Sequence, residues 1–131
     1  MLASNAVTIM IVDDHPVVRD GLLAMLSTEA DMRVVGEAGS GTDALPMVTK
    51  LRPSVVLMDL LLPDMSGAET ARRMRAAAGP RLPIIAMSGD TFDGEAGRLQ
   101  ESGLNDYVGK PVEPAALGQV LDRWLPPRAT T

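Results

Sequence analysis

The 131-residue chain contains no cysteine, which excludes a disulfide framework and any thiolate metal site. Aromatic residues are almost as scarce, with one Phe, one Tyr and one Trp, so a core must come from Leu, Val, Ile, Met and Ala. The nine methionines are then most simply gap fillers in that core. No apolar run approaches the roughly 20 residues of a membrane span. The opening MLASNAVT has neither the charged start nor the long apolar stretch of a secretory signal. Positive charge is in the minority: the net charge is −5 and the pI is near 4.7. An acidic surface repels phosphate backbones, so this domain is not expected to bind DNA directly. A soluble, cytoplasmic protein is the expectation, with no membrane partner.

What is present suits one ordinary domain, 46% hydrophobic and 22% charged. Short apolar or β-branched runs alternate with longer helical patterns. TIMIV (8–12), MRVVGEA (32–38), VVLMD (55–59), PIIAMS (83–88) and NDYVG (105–109) are strand candidates. Val18, Leu22, Met25 and Leu26 fall on one helical face, as do Leu117, Val120, Leu121, Trp124 and Leu125. Leu45, Val48 and Leu51 suggest a helix that Pro46 should keep short or delay. Ser66 and Glu69 have capping-box spacing ahead of a helix that ends at Gly79–Pro80. A weaker helix is expected over 91–102, where Gly94 and Gly97 lower the propensity. Five β–α alternations point to an α/β fold, a parallel sheet with helices on both faces; as a doubly wound, flavodoxin-like five-stranded sheet with five helices, its strand order would be 2-1-3-4-5. Strands one, three and four are nearly all apolar, as strands covered on both faces should be.

In such folds the ligand site lies beyond the carboxyl ends of the strands. Asp13 and Asp14 end strand one, Asp59 ends strand three, Ser88 ends strand four, and Lys110–Pro111 follows strand five. Each alone has an ordinary explanation as a turn, cap or surface residue. Their conjunction at one edge of four strands is far more specific. Crowded carboxylates raise one another's pKa unless a cation sits among them. Oxygen-only donors with few protein ligands suit Mg²⁺. A metal beside a carboxylate and an ammonium is a site for a phosphoryl group, and Asp59 can itself be the nucleophile that forms an aspartyl phosphate.

The motifs IVDDHPVVRDGL, VVLMDLLLPDMSG, IIAMSGD and DYVGKP, in this order, make the chain resemble the receiver domain of two-component response regulators. The resemblance covers residues 7–126, with 1–6 as an extension and 127–131 as a tail. It implies that Asp59 accepts a phosphoryl group from a histidine of a sensor kinase or phosphotransfer protein. Asp14, Asp59 and the Leu61 backbone carbonyl would hold Mg²⁺, with Asp13 helping through water. Lys110 would pair with the phosphoryl oxygens, across a cis Lys110–Pro111 bond. Ser88 would be the switch hydroxyl and Tyr107 the switch aromatic. The output face would comprise the fourth helix, fifth strand and fifth helix. Leu61 and Asp90 flank the route of hydrolytic water in the family; an apolar Leu61 cannot orient that water. His15 is read as a helix-start residue near the surface. The chain would be a signalling switch that catalyses its own aspartyl phosphorylation and slow dephosphorylation, rather than an enzyme acting on other substrates.

Three other readings compete. A haloacid-dehalogenase-type hydrolase needs a second acid two residues after its nucleophile, where Leu61 stands. A flavin-binding module needs phosphate-cradling amides in its first loop, where Asp13 and Asp14 would repel phosphate. A receiver-like module used only for binding would not need the full set Asp13, Asp14, Asp59, Ser88 and Lys110. HPVVRDGL is similar to regulators that carry a DNA-binding domain, whereas LDRWLPP is closer to receivers of hybrid kinases. With only PPRATT following, a stand-alone or excised receiver is the expectation.

Overall fold

In the computed structural model, the described residues are 7–29, 31–60, 62–79, 81–88 and 103–124. They form β1 (Val7–Val12), α1 (Pro16–Leu26), β2 (Met32–Ala38), α2 (Gly41–Leu51), β3 (Val55–Asp59), α3 (Gly67–Ala78), β4 (Ile84–Ser88), β5 (Asp106–Gly109) and α4 (Pro114–Trp124). The expected helix over 91–102, together with Leu61, Asp90, residues 1–6 and the tail 127–131, lies outside the described residues. The α4 label therefore belongs to the last of the five expected helices. Among the described residues no helix is long and apolar enough to cross a membrane.

The sheet is parallel throughout, in the order β2-β1-β3-β4-β5. Its three middle strands feed two cores at once because side chains alternate between faces. Ile9, Ile11, Val55, Leu57, Ile85 and Met87 pack with Leu22 and Leu26 of α1 and with Leu117, Val120 and Leu121 of α4. Met10, Val12, Val56, Met58, Ile84 and Ala86 face the other way, onto Ala44 and Val48 of α2 and Ala71 and Met74 of α3. A strand apolar on both faces shows no period-2 alternation in sequence, which is why VVLMD reads as a continuous run. Met10, Met58, Met74 and Met87 are wholly buried, in keeping with methionine as core filler.

The helix containing Pro46 corrects the expectation. It is neither short nor late: α2 runs the full 11 residues from Gly41, with Pro46 inside it. Thr42, whose carbonyl Pro46 cannot bond, and Pro46 itself are both exposed, so the freed acceptor lies on the water side. The N-terminus of α2 is held by two side chains. Ser40 accepts from the Asp43 N–H at 3.1 Å. Asp64, from the loop after β3, accepts from the Gly41 N–H at 2.9 Å, from the Thr42 N–H at 2.8 Å and from the Thr42 hydroxyl. A Cβ on Gly41 would lie 2.6 Å from both Met65 Cγ and Thr70 Oγ1, so this approach requires glycine. At α3 half of the expected capping box forms. Ser66 accepts from the Glu69 N–H at 3.0 Å, while the Glu69 carboxylate pairs with Arg72 and Arg73.

Asp64 makes the α2 cap sensitive to acid. The Thr42 hydroxyl first, then the Gly41 and Thr42 amides, lower its pKa from 3.8 to about 2. A depressed folded-state pKa gives stability that is present above 3.8 and is lost as pH falls towards 2. The Tm difference between the parent and Asp64→Asn should therefore be flat from about pH 5 to 7 and shrink steadily below about pH 4. Thermal unfolding across that range checks this; a difference independent of pH would remove the carboxylate from the account.

Candidate functional site

Strand register gathers the acids. Val12 pairs with Met58, so the next residues, Asp13 and Asp59, emerge side by side at the carboxyl edge. Asp59 pairs with Met87 and Ser88 with Gly109, which brings Lys110 to the same edge. Asp13 is wholly buried and Asp59 is 3% exposed. Two carboxylates so placed cost several kcal/mol each unless they are compensated. Lys110 compensates both: its Nζ lies 2.7 Å from Asp13 Oδ2 and 3.1 Å from Asp59 Oδ2. Burial works against the ammonium, but the hydrogen bonds and charges of Asp13 and Asp59 outweigh it and raise the Lys110 pKa above its ordinary value. The Lys110–Pro111 peptide is cis.

The backbone around Asp13 is held on two sides. Its N–H donates to the Ala38 carbonyl at 2.9 Å, and its carbonyl accepts from Arg19, whose Nε also lies 3.3 Å from Glu37. Arg19 is a residue the sequence reading passed over; its place one turn into α1, behind an acidic strand end, is the signal that could have found it. His15 is exposed at the start of α1, as expected, yet its ring turns back over the acids. Nδ1 lies 3.1 Å from Asp13 Oδ1, 3.1 Å from Asp14 Oδ1 and 3.9 Å from Asp59 Oδ2.

Three carboxylates against one ammonium leave an excess of two negative charges when all are ionised, which matches one divalent cation. One oxygen carries the same message: Asp14 Oδ1 is shut off from water without a well-directed hydrogen bond and has only the approach of the His15 ring at 3.1 Å. One ligand atom from each of Asp13, Asp14, His15 and Asp59 lies within 4.8 Å of the others, close enough to share an ion. Of the remaining expected site residues, Tyr107 is on β5 and 36% exposed. Ser88 ends β4 at this edge, with only its backbone described, and Leu61 lies outside the described residues.

Fold and pocket together define a doubly wound α/β domain with an acidic strand edge whose ligand atoms stand close enough to share a metal ion. Residues 9–122 match the response regulator receiver domain model, and the chain belongs to that family. It is 37% identical over 116 residues to the response regulator protein VraR of Staphylococcus epidermidis, a match covering 88% of this chain and 55% of that protein. The chain spans about half the length of the VraR proteins it matches. Among solved structures it is similar to the receiver domain of sensor histidine kinase PA1611 from Pseudomonas aeruginosa, which has a magnesium ion in its active-site cleft. That match has 33% identity and a TM-score of 0.79, covering 91% of this chain and 97% of that one. A LuxR-family response regulator from Aurantimonas matches with 31% identity and a TM-score of 0.82, over 90% and 84% of the two chains.

The charge excess predicts how stability responds to metal. In chelator, Asp14→Asn should raise stability by on the order of 1 kcal/mol, because one repelling carboxylate is gone. The parent should gain Tm on adding Mg²⁺, and the variant should lose most of that gain. Thermal unfolding with and without chelator checks both; a variant no more stable than the parent in chelator contradicts the charge argument.

Proposed function

We propose that Asp59 accepts a phosphoryl group from a phosphohistidine of a sensor kinase or phosphotransfer protein, in the cytoplasm, and that the resulting aspartyl phosphate switches the domain's contacts. The observation that carries this reading is the division of labour among the buried acids. Asp13 has both oxygens engaged, Oδ1 by the His15 N–H at 2.9 Å and Oδ2 by Lys110 at 2.7 Å. Asp59, 3% exposed at the end of β3, shares the same ammonium, 3.1 Å from its Oδ2. An Asp59 oxygen attacks phosphorus as the P–N bond of the donor breaks; the O–P bond forms, and the leaving imidazole takes up a proton. Lys110 offsets charge on the phosphoryl oxygens throughout. Bound Mg²⁺, held by Asp14, Asp59, the Leu61 carbonyl and, through water, Asp13, would add a second cation against those oxygens.

Supporting contact with a donor protein are Val17, 82% exposed at the start of α1, and an apolar cavity of about 200 Å³ beside Lys110. Val18, Leu22, Met25, Pro111 and Val112 line that cavity. After transfer, the Ser88 hydroxyl donates to a phosphoryl oxygen and Tyr107 turns inward from its exposed position. That change reaches β5 and α4, part of the face offered to an output partner. Attack of water on phosphorus, slower, returns the carboxylate and inorganic phosphate. The domain itself does not contact DNA.

Incubation with acetyl phosphate and Mg²⁺ tests this by intact mass. The parent should gain one phosphoryl group, and Asp59→Asn none; chelator should suppress the gain. An unmodified parent under these conditions overturns the proposal.

A further inference from the structure

The ring of His15 has no capping task. His15 occupies the N-cap position of α1, a place that favours Ser, Thr, Asp or Asn, and its side chain makes no cap hydrogen bond. Pro16 follows at the first helical position, where no N–H needs an acceptor. The imidazole is instead folded back so that Nδ1 is in hydrogen-bond contact with Asp13 Oδ1 at 3.1 Å and faces Asp14 at 3.1 Å and Asp59 at 3.9 Å. Around an ion with bonds of about 2.1 Å, neighbouring ligand atoms stand about 3.0 Å apart in an octahedron and about 3.4 Å in a tetrahedron. The His15 separations from Asp13 and Asp14 fall between those edges, and the one from Asp59 at 3.9 Å lies about half an ångström beyond the longer. The ring is 63% exposed, so it can tilt by the roughly half an ångström needed without disturbing the core.

We propose that His15 is an additional metal ligand, which this chain brings to its acidic site, so that the site takes a borderline divalent ion such as Zn²⁺ in preference to Mg²⁺. Carboxylate oxygens alone suit hard cations, while an imidazole nitrogen adds affinity for Zn²⁺, Ni²⁺ and Cu²⁺. Asp14 Oδ1, buried and without a well-directed hydrogen bond, and the His15 nitrogen beside it form the pair that such an ion would bridge. Zn²⁺ bound there occupies the carboxylates on which Mg²⁺ depends, so the two ions compete. This inference rests on the metal site proposed above and adds to it a selectivity set by one side chain.

Titration calorimetry of the full chain with Zn²⁺ and, separately, with Mg²⁺ tests it, on the parent and on His15→Asn and His15→Gln. The parent should bind Zn²⁺ at least about tenfold more tightly than Mg²⁺, and excess Zn²⁺ should displace Mg²⁺. Both variants should lose at least about tenfold in Zn²⁺ affinity while Mg²⁺ affinity stays within about twofold. With Co²⁺ as a probe, the visible absorption of the parent should change shape in the variants. Unchanged Zn²⁺ affinity in both variants overturns the inference, and so does an equal loss for both ions, which marks a structural role. A parent that binds neither ion overturns the underlying metal site as well, a result distinct from Mg²⁺ binding that persists without zinc selectivity.

Discussion

The bridge from Lys110 to Asp13 and Asp59 is the interaction on which the active edge depends. A hydrophobic sheet delivers two carboxylates to a nearly water-free position, and one ammonium keeps both tolerable. The compensation is incomplete by design of the chemistry. Asp14 adds a third carboxylate, and the leftover negative charge is what makes the edge receptive to a cation and then to a phosphoryl group. The same imbalance should cost stability until a cation offsets it, which would set function and stability against each other at this one place.

The rest of the fold keeps that edge in position. Continuous apolar strands covered on both faces leave the carboxyl ends of the strands as the place where polar groups collect. The loop after β3 is anchored at a distance: Asp64, five residues beyond Asp59, caps α2 with three hydrogen bonds. At the opposite edge Arg75 of α3 reaches the carbonyls of Leu82 and Gly103 and, at 2.8 Å, the Asn105 side chain. That side chain in turn accepts from the Ile84 N–H at 2.8 Å. The starts of β4 and β5 are thereby tied to a helix end, while their far ends carry Ser88 and lead into Lys110.

Much of this was legible in the sequence, and the reasons differ by element. The central strands and the converging residues Asp13, Asp14, Asp59 and Lys110 could be read because apolar runs and strand-end chemistry are local signals. The β–α alternation pointed to a parallel sheet covered on both faces, and its order β2-β1-β3-β4-β5 was expected only on the analogy of doubly wound folds and the family's motifs. Pro46 misled because local propensity penalises it, whereas burial of Gly41, Ala44 and Val48 and the cap from Asp64 override that penalty. Asp64 and the Arg75–Asn105 pair were missed because their partners lie 22 to 30 residues away with no periodicity linking them. His15 was read as a helix-start residue, and it is one; only the three-dimensional placement of its ring showed that it also faces the acids.

The central claim is that Asp59, among several neighbouring acids, receives the phosphoryl group. Treating the phosphorylated protein with borohydride reduces an acyl phosphate to an alcohol, converting the modified aspartate to homoserine, which tandem mass spectrometry can locate. The account predicts homoserine at position 59 and unmodified aspartate at 13, 14 and 64. Homoserine at any of those three, with position 59 intact, would contradict it.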